Sequence, residues 1–280
     1  MTYKEKHFIH KGHKTAYLDA GSAERPVLLL LHSIRGTKSF FDLIRDAFLP
    51  HYRVLIPDLR GHGVSDKEAP FTFQQIAEDL RELLRHEKVQ KVSIIASSFS
   101  CVPAQMLAAE EPALIQALIL LDGGFYSLGN LPGFDYQAQV ERFANTRFHS
   151  LEEVHRAFSR HHPGTVLPAH IAESEMVWDP AGYYRYKLPV EALSAYFQDY
   201  MAFQPELVLS SIRCPVLLLH ADEKLAPTEE HRAFIRSSLQ AYLGLAPQAR
   251  AIRIAGGRHL LMLQSPLETS RLSLSFLRKL

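Results

Sequence analysis

The sequence predicts an α/β protein built on a doubly wound, mostly parallel sheet, and three observations predict it. Continuous apolar runs such as Pro26-Val27-Leu28-Leu29-Leu30-Leu31-His32 lack inside–outside alternation, as in strands covered by helices on both faces. Strand-like and helix-like segments alternate from residue 26 to residue 122, the period of right-handed βαβ units. The alternation stops at Gly123 and resumes at Cys214, so a single core carries an insertion.

His7–His10 and Lys14–Asp19 read as short strands closed by Ala20-Gly21-Ser22. After the run at 26–32, Thr37–Leu49 has helical spacing, with Phe40, Phe41, Leu43, Ile44 and Phe48 on one stripe. Tyr52–Pro57 is a buried strand. Thr72–Glu87 is a helix with Phe73, Ile76, Leu80 and Leu84 on one face and Thr72 as N-cap. Val92–Ala96 (strand), Ser100–Glu110 (helix) and Ala117–Leu121 (strand) follow. From Gly123 to about Leu209 there are helix-like segments, no clear strand and many aromatics, Tyr126, Trp178, Tyr186, Tyr196 and Tyr200 among them. Most of those aromatics are expected to form the insertion's own small core. Cys214–His220 (strand), Pro227–Leu243 (helix), Ala249–Ile254 (strand) and a helix from about Pro266 close the chain. The expected division is a core over residues 1–124, a helical cap over 125–208 inserted after the sixth core strand, and the rest of the core over 209–280.

Composition narrows the function classes. With 47% hydrophobic and 22% charged residues the chain has an ordinary globular make-up. A net charge of +1 and the absence of any basic block give no reason to expect nucleic acid. Two cysteines, Cys101 and Cys214, cannot build a disulfide framework and suit a reducing compartment. The polar start MTYKEK does not read as a signal peptide, and no apolar run approaches the ~18–20 residues of a membrane span. His149, His155, His161, His162 and His170 are not spaced as metal ligands, and His161-His162-Pro163-Gly164 reads as a loop. No glycine-rich phosphate loop of the required form occurs. The expectation is a cytoplasmic protein, monomer or homodimer, that meets a small molecule without cofactor, metal or membrane.

The stretch Ile94-Ile95-Ala96-Ser97-Ser98-Phe99-Ser100-Cys101 joins a buried strand to a helix. A sharp strand-to-helix turn that lifts one side chain out of the sheet needs small residues two before and two after it. Only Ser98, flanked by Ala96 and Ser100, satisfies this; Ser97 would face Ile95 and Phe99, and Ser100 would face Val102. Serines also cap helices readily, and by itself A-S-S-F-S departs from G-x-S-x-G at both flanks.

Around this turn the chain resembles the α/β-hydrolase fold family, in its capped, epoxide-hydrolase-like branch. Leu28–His32 with Ser33-Ile34-Arg35-Gly36 is similar to the family's strand and oxyanion loop. Asp58-Leu59-Arg60-Gly61-His62-Gly63-Val64-Ser65-Asp66 is close to its D-x-R-G-x-G-x-S turn, and Gly256-Gly257-Arg258-His259 to its terminal G-x-x-H segment. The resemblance implies that Ser98 is the nucleophile, that His259 is its base, and that the amides of Ile34 and Phe99 form the oxyanion hole.

Three departures bear on the chemistry. Ser33 replaces the usual glycine after His32, and Ser97 stands where histidine is common. The third concerns the acid: three residues beyond Ala221, where the resemblance places it, the chain has Lys224, and a lysine cannot orient an imidazolium. Three carboxylates remain: Asp122 at the end of the strand Ala117–Leu121, followed by Gly123-Gly124, is preferred, then Glu223, then Asp222. Some family members, haloalkane dehalogenases among them, draw their acid from the strand end that Asp122 occupies.

The resemblance implies a serine hydrolase of small or medium carboxylic esters or thioesters. Its rivals are carbon–carbon hydrolysis of diketones and a ligand sensor on the same fold. Dehalogenation and epoxide opening are disfavoured, since members with those activities carry Asp at the position of Ser98.

Overall fold

In a computed structural model of the chain, residues 3–161 and 163–280 are described, His161 by its backbone alone. The loop expected at His161-His162 lies outside this description, except that the His161 backbone ends a helix.

The apolar runs form one sheet: β1 (Tyr3–His10), β2 (His13–Ala20), β3 (Val27–Leu31), β4 (Arg53–Pro57), β5 (Val92–Ser97), β6 (Ile115–Leu121), β9 (Val216–His220) and β10 (Ala249–Arg253). Their spatial order is β1-β2-β4-β3-β5-β6-β9-β10. The β1–β2 and β2–β4 pairs are antiparallel and all later pairs parallel. The runs lack alternation because both faces are covered: Leu29 and Leu31 belong to one apolar cluster and Leu28 and Leu30 to the other. From β3 the chain turns one way to β4 and later the other way to β5. The carboxyl ends of β3 and β5 thus flank the point where strand order reverses, where open α/β sheets bind ligands.

Among the described residues eleven α-helical segments accompany the sheet. In the core they are α1 (Arg45–Phe48), α2 (Phe73–His86), α3 (Cys101–Glu110), α9 (Glu229–Leu245), α10 (Leu261–Gln264) and α11 (Pro266–Leu277). Thr72 caps α2 by accepting the Gln75 amide at 3.0 Å, and Thr228 caps α9 through His231. The helix expected over Thr37–Leu49 is broken into a 3-10 turn, Lys38–Phe41, and the short α1. Lys38 is tied by both its amide and its ammonium to Asp58, and this anchors the turn at its first residue.

The stretch between β6 and β9 carries α4 (Tyr136–Asn145), α5 (Leu151–His161), α6 (Ala169–Ser174), α7 (Val190–Ala202) and α8 (Glu206–Leu209). It also contains a hairpin that the expectation of helices alone did not include: β7 (Met176–Asp179) and β8 (Tyr183–Tyr186), turning at Gly182 with φ +94°. Four-residue strands are too short to display a period. The aromatics themselves divide. Tyr196 and Tyr200 of α7 reach down into the main core against Phe73 and Phe99, whereas Phe148 and Tyr186 border a cavity under the insertion.

Candidate active site

Between β5 and α3 the backbone turns at Ser98, whose φ of +57° is left-handed and rare for a residue with a side chain. The flanking serines are occupied elsewhere. Ser100 Oγ accepts the Ser97 amide and lies 3.0 Å from Leu31 O and 2.9 Å from Ser97 O, which stitches β5 to β3. Ser97 Oγ caps the turn against the Ser100 backbone and lies 3.6 Å from the sulfur of Met262. Ser98 Oγ instead borders the cavity, 2.8 Å from His259 Nε2.

His259 sits in the turn after β10, and its Nδ1 lies 2.8 Å from Asp122 Oδ2. A carboxylate can only accept, so Nδ1 carries the proton and Nε2 is left to accept from the Ser98 hydroxyl. Asp122 is the first residue beyond β6, itself at φ +49°. Its other oxygen, Oδ1, accepts the Ala221 amide at the end of the neighbouring β9 at 2.8 Å. Gly123 makes the approach possible: a Cβ there would stand 2.4 Å from Ser98 O and 2.7 Å from Ser98 Cα. Of the three carboxylates considered, Asp122 alone meets the imidazole. Asp222 accepts the amides of Gly256 and Lys224, and Glu223 turns toward Arg253. Lys224 is exposed.

The loop after β3 supplies the opposite wall. His32 Nε2 accepts the Leu59 amide at 3.0 Å while Nδ1 donates to Ser33 O at 2.9 Å, and full burial pushes its pKa down to about 4. It is therefore a neutral brace between this loop and the Asp58–Asp66 turn. That turn is scaffold: Asp58 accepts from Lys38 and Val64, and Arg60 makes two 2.7 Å hydrogen bonds to Asp79. Gly63 is obligatory there, since a Cβ would fall 2.1 Å from the Asp58 carboxyl carbon. Ser33 does not occupy the left-handed region, so glycine is not required at that position; Arg35, at φ +63°, takes the strained conformation. Ile34 borders the same cavity as Ser98, and Phe99 follows Ser98 in the turn that opens the helical segment.

The cavity holds about 420 Å³, and Phe40, Phe148, Val154, Phe158 and Met176 make one side of it apolar. On that side lies a residue with no sequence signal beyond its being one acid among many. Glu175 is 5% exposed, and no described residue donates a hydrogen bond to its carboxyl. As for metal ligands, His10, Glu78 and Glu82 bring ligand atoms within 4.8 Å of one another, away from the cavity. His155 pairs with Glu173 and His170 with Asp42.

Residues 26–266 match the alpha/beta hydrolase fold. The chain belongs to that family. Among curated relatives, this alpha/beta hydrolase is similar to the magnesium-chelatase 30 kDa subunit of Rhodobacter capsulatus, 37% identical over 97 residues, 34% of each chain. It is also similar to human protein ABHD8, 25% identical over 270 residues, 92% of this chain and 56% of that one. The alpha/beta hydrolase thus spans between about a third and somewhat over half of the length of such relatives. Among solved structures, E-2-(acetamidomethylene)succinate hydrolase superposes with a TM-score of 0.84 at 19% identity, covering 99% of this chain and all of the other. At that identity the likeness is one of fold.

Proposed function

We propose that this alpha/beta hydrolase is a serine hydrolase of small or medium carboxylic esters or thioesters. The observation that carries the reading is the Ser98–His259–Asp122 relay, with both links at 2.8 Å, opening on a cavity at the sheet's switch point. Ser98 Oγ attacks the substrate carbonyl as His259 Nε2 takes its proton, and Asp122 holds and stabilises the imidazolium. The oxyanion is received by the Ile34 and Phe99 amides, aided by the dipole of the helix that begins there. Collapse expels the alcohol or thiol, which takes the proton from His259. Water, deprotonated by His259, then attacks the acyl-Ser98 ester; collapse frees the acid, and the proton returns to Ser98. His259, with a side chain 52% exposed, sits where water can reach it. The free, buried state of Cys101 and Cys214 supports placement in a reducing compartment.

The test is labelling by a fluorophosphonate probe read by intact mass. One adduct on the wild-type protein that is missing from Ser98→Ala supports the reading, and an ester panel then follows. Folded wild-type protein that takes no adduct overturns it. The second reading, a ligand-binding protein on the same fold, rests on Ser33, which departs from the family's glycine and borders the cavity with a hydroxyl that has no partner among the described residues. It requires binding with no reactivity at Ser98.

A further inference from the structure

Among the residues that border the cavity, four can each offer a hydrogen-bond donor. Glu175 stands between α6 and β7, buried among Ala172, Met176 and Tyr186, with only the charge of Arg35 acting on it; burial pushes its pKa up to about 8. At neutral pH its carboxyl is therefore protonated and offers an O–H. Arg35, beside the oxyanion loop, lays its guanidinium over the Tyr186 ring, 5.2 Å from the centroid, with one nitrogen 3.4 Å from the Tyr186 hydroxyl. Burial also raises the Tyr186 pKa, so this hydroxyl keeps its proton. Ser33, 2% exposed, has a hydroxyl without a partner among the described residues. All four border the cavity that contains Ser98.

These groups differ in position but agree in demand: each has a proton to donate, and the guanidinium adds positive charge. An alkyl group placed there would leave the carboxyl and the guanidinium desolvated and unpaired. An ammonium would ionise Glu175 but would meet the charge of Arg35. An anionic oxygen satisfies all of them, because a protonated carboxyl and a guanidinium can both donate to one carboxylate.

We propose that Glu175 and Arg35, with Tyr186 and Ser33, form a subsite for a carboxylate on the substrate, remote from the carbonyl that Ser98 attacks. The substrate class is then a monoester or monothioester of a dicarboxylic acid, or an ester whose alcohol carries a carboxylate. The identity of the substrate class rests on the serine-hydrolase reading; the subsite itself does not.

The experiment compares p-nitrophenyl hemiglutarate with p-nitrophenyl valerate, acyl groups of similar length that differ in a terminal carboxylate. The ratio of their kcat/KM values is measured for the wild type, Glu175→Gln and Glu175→Leu from pH 6 to pH 9. The wild type is expected to prefer the hemiester and to lose that preference as pH rises past about 8, when Glu175 ionises against the substrate. Glu175→Gln, which still donates, keeps the preference and removes its pH dependence. Glu175→Leu lowers the ratio about tenfold or more, the effect of one lost hydrogen bond to a charged group. A ratio favouring valerate in the wild type, or one that Glu175→Leu leaves unmoved, overturns the subsite while leaving the hydrolase reading intact. If neither ester is cleaved, the hydrolase reading is decided by the Ser98 adduct. The subsite is then decided by calorimetric binding of glutarate to the wild type and to Glu175→Leu: about tenfold weaker binding in the variant upholds it, and equal or undetectable binding to both overturns it.

Discussion

Asp122 reaches His259 because Ala221 holds one of its oxygens and leaves the other free. Asp122→Asn keeps the shape but offers an N–H where the imidazole donates, so kcat is expected to fall by ~10³–10⁴. Glu223→Gln should stay near the wild type in the same assay; a collapse there instead would move the acid to the β9 loop. Glu175 makes a prediction of the opposite kind, on stability. Its folded-state pKa of about 8 lies above the ordinary 4.5, so between those values the folded state binds the extra proton and stability declines as pH rises. Glu175→Gln removes that cost, and its urea midpoint should exceed the wild type's by a margin that grows from pH 5 to pH 8. The gain is on the order of a few kcal/mol at most. At this scale the sequence displayed Ser98 through a steric rule on its near neighbours, and His259 through the resemblance of Gly256-Gly257-Arg258-His259 to the family's terminal segment. It left the acid open among Asp122, Glu223 and Asp222, since the choice depends on which way the amides of Ala221 and Gly256 point. Glu175 was illegible: in Ala-Glu-Ser-Glu-Met nothing separates a buried acid from the solvated one two residues before it.

Elements were legible where a period had room to repeat. The 14-residue α2 and the sheet strands lie within a few residues of their expected bounds, because a face of apolar residues and a cap fix them. Thr72→Ala, which deletes the α2 cap, should cost about 1 kcal/mol by chemical denaturation. The β7–β8 hairpin and the broken segment after Thr37 were not legible, since each is set by a partner distant in sequence: Phe148, whose backbone bridges Tyr184, and Asp58, which anchors Lys38. Gly123 tests the junction of elements at the site. Gly123→Ala would push β6's exit off the Ser98 turn, and thermal unfolding should show destabilisation of about 1–3 kcal/mol with a lower kcat in the folded fraction.

Across the whole molecule, the antiparallel edge is secured by charge rather than by apolar area alone. Arg53 on β4 makes two 2.8 Å hydrogen bonds to Asp19 on β2 and also meets Glu87 at the end of α2, and Lys6 on β1 pairs with both acids. Desolvation alone would raise both carboxyls, but these bonds, and for Glu87 first the hydrogen bond from the Tyr17 hydroxyl, hold them below their ordinary pKa. Their contribution is complete at neutral pH and is lost as pH falls through the depressed values. Arg53→Met should cost about 1.5–3 kcal/mol at pH 7, because Asp19 then keeps Lys6 alone and Glu87 keeps Lys6 and Tyr17, and the difference from the wild type should shrink by pH 3. Among the described residues no helix is long and apolar enough to cross a membrane.

Asp122 is also the last residue of the chain before it leaves the core for the stretch that roofs the cavity. The proposed acid and the root of that roof are therefore one piece of chain, followed by Gly123-Gly124. A roof grafted from another protein would have to be spliced beyond Gly124, or the exchange would remove the group that orients His259. The loop after β9 supports the relay through its first two residues, the Ala221 amide on Asp122 and Asp222 against Gly256 and Gly257. Glu223, Leu225 and Ala226 border the same cavity from there, so they are positions at which ligand preference can be rewritten while the relay stays in place.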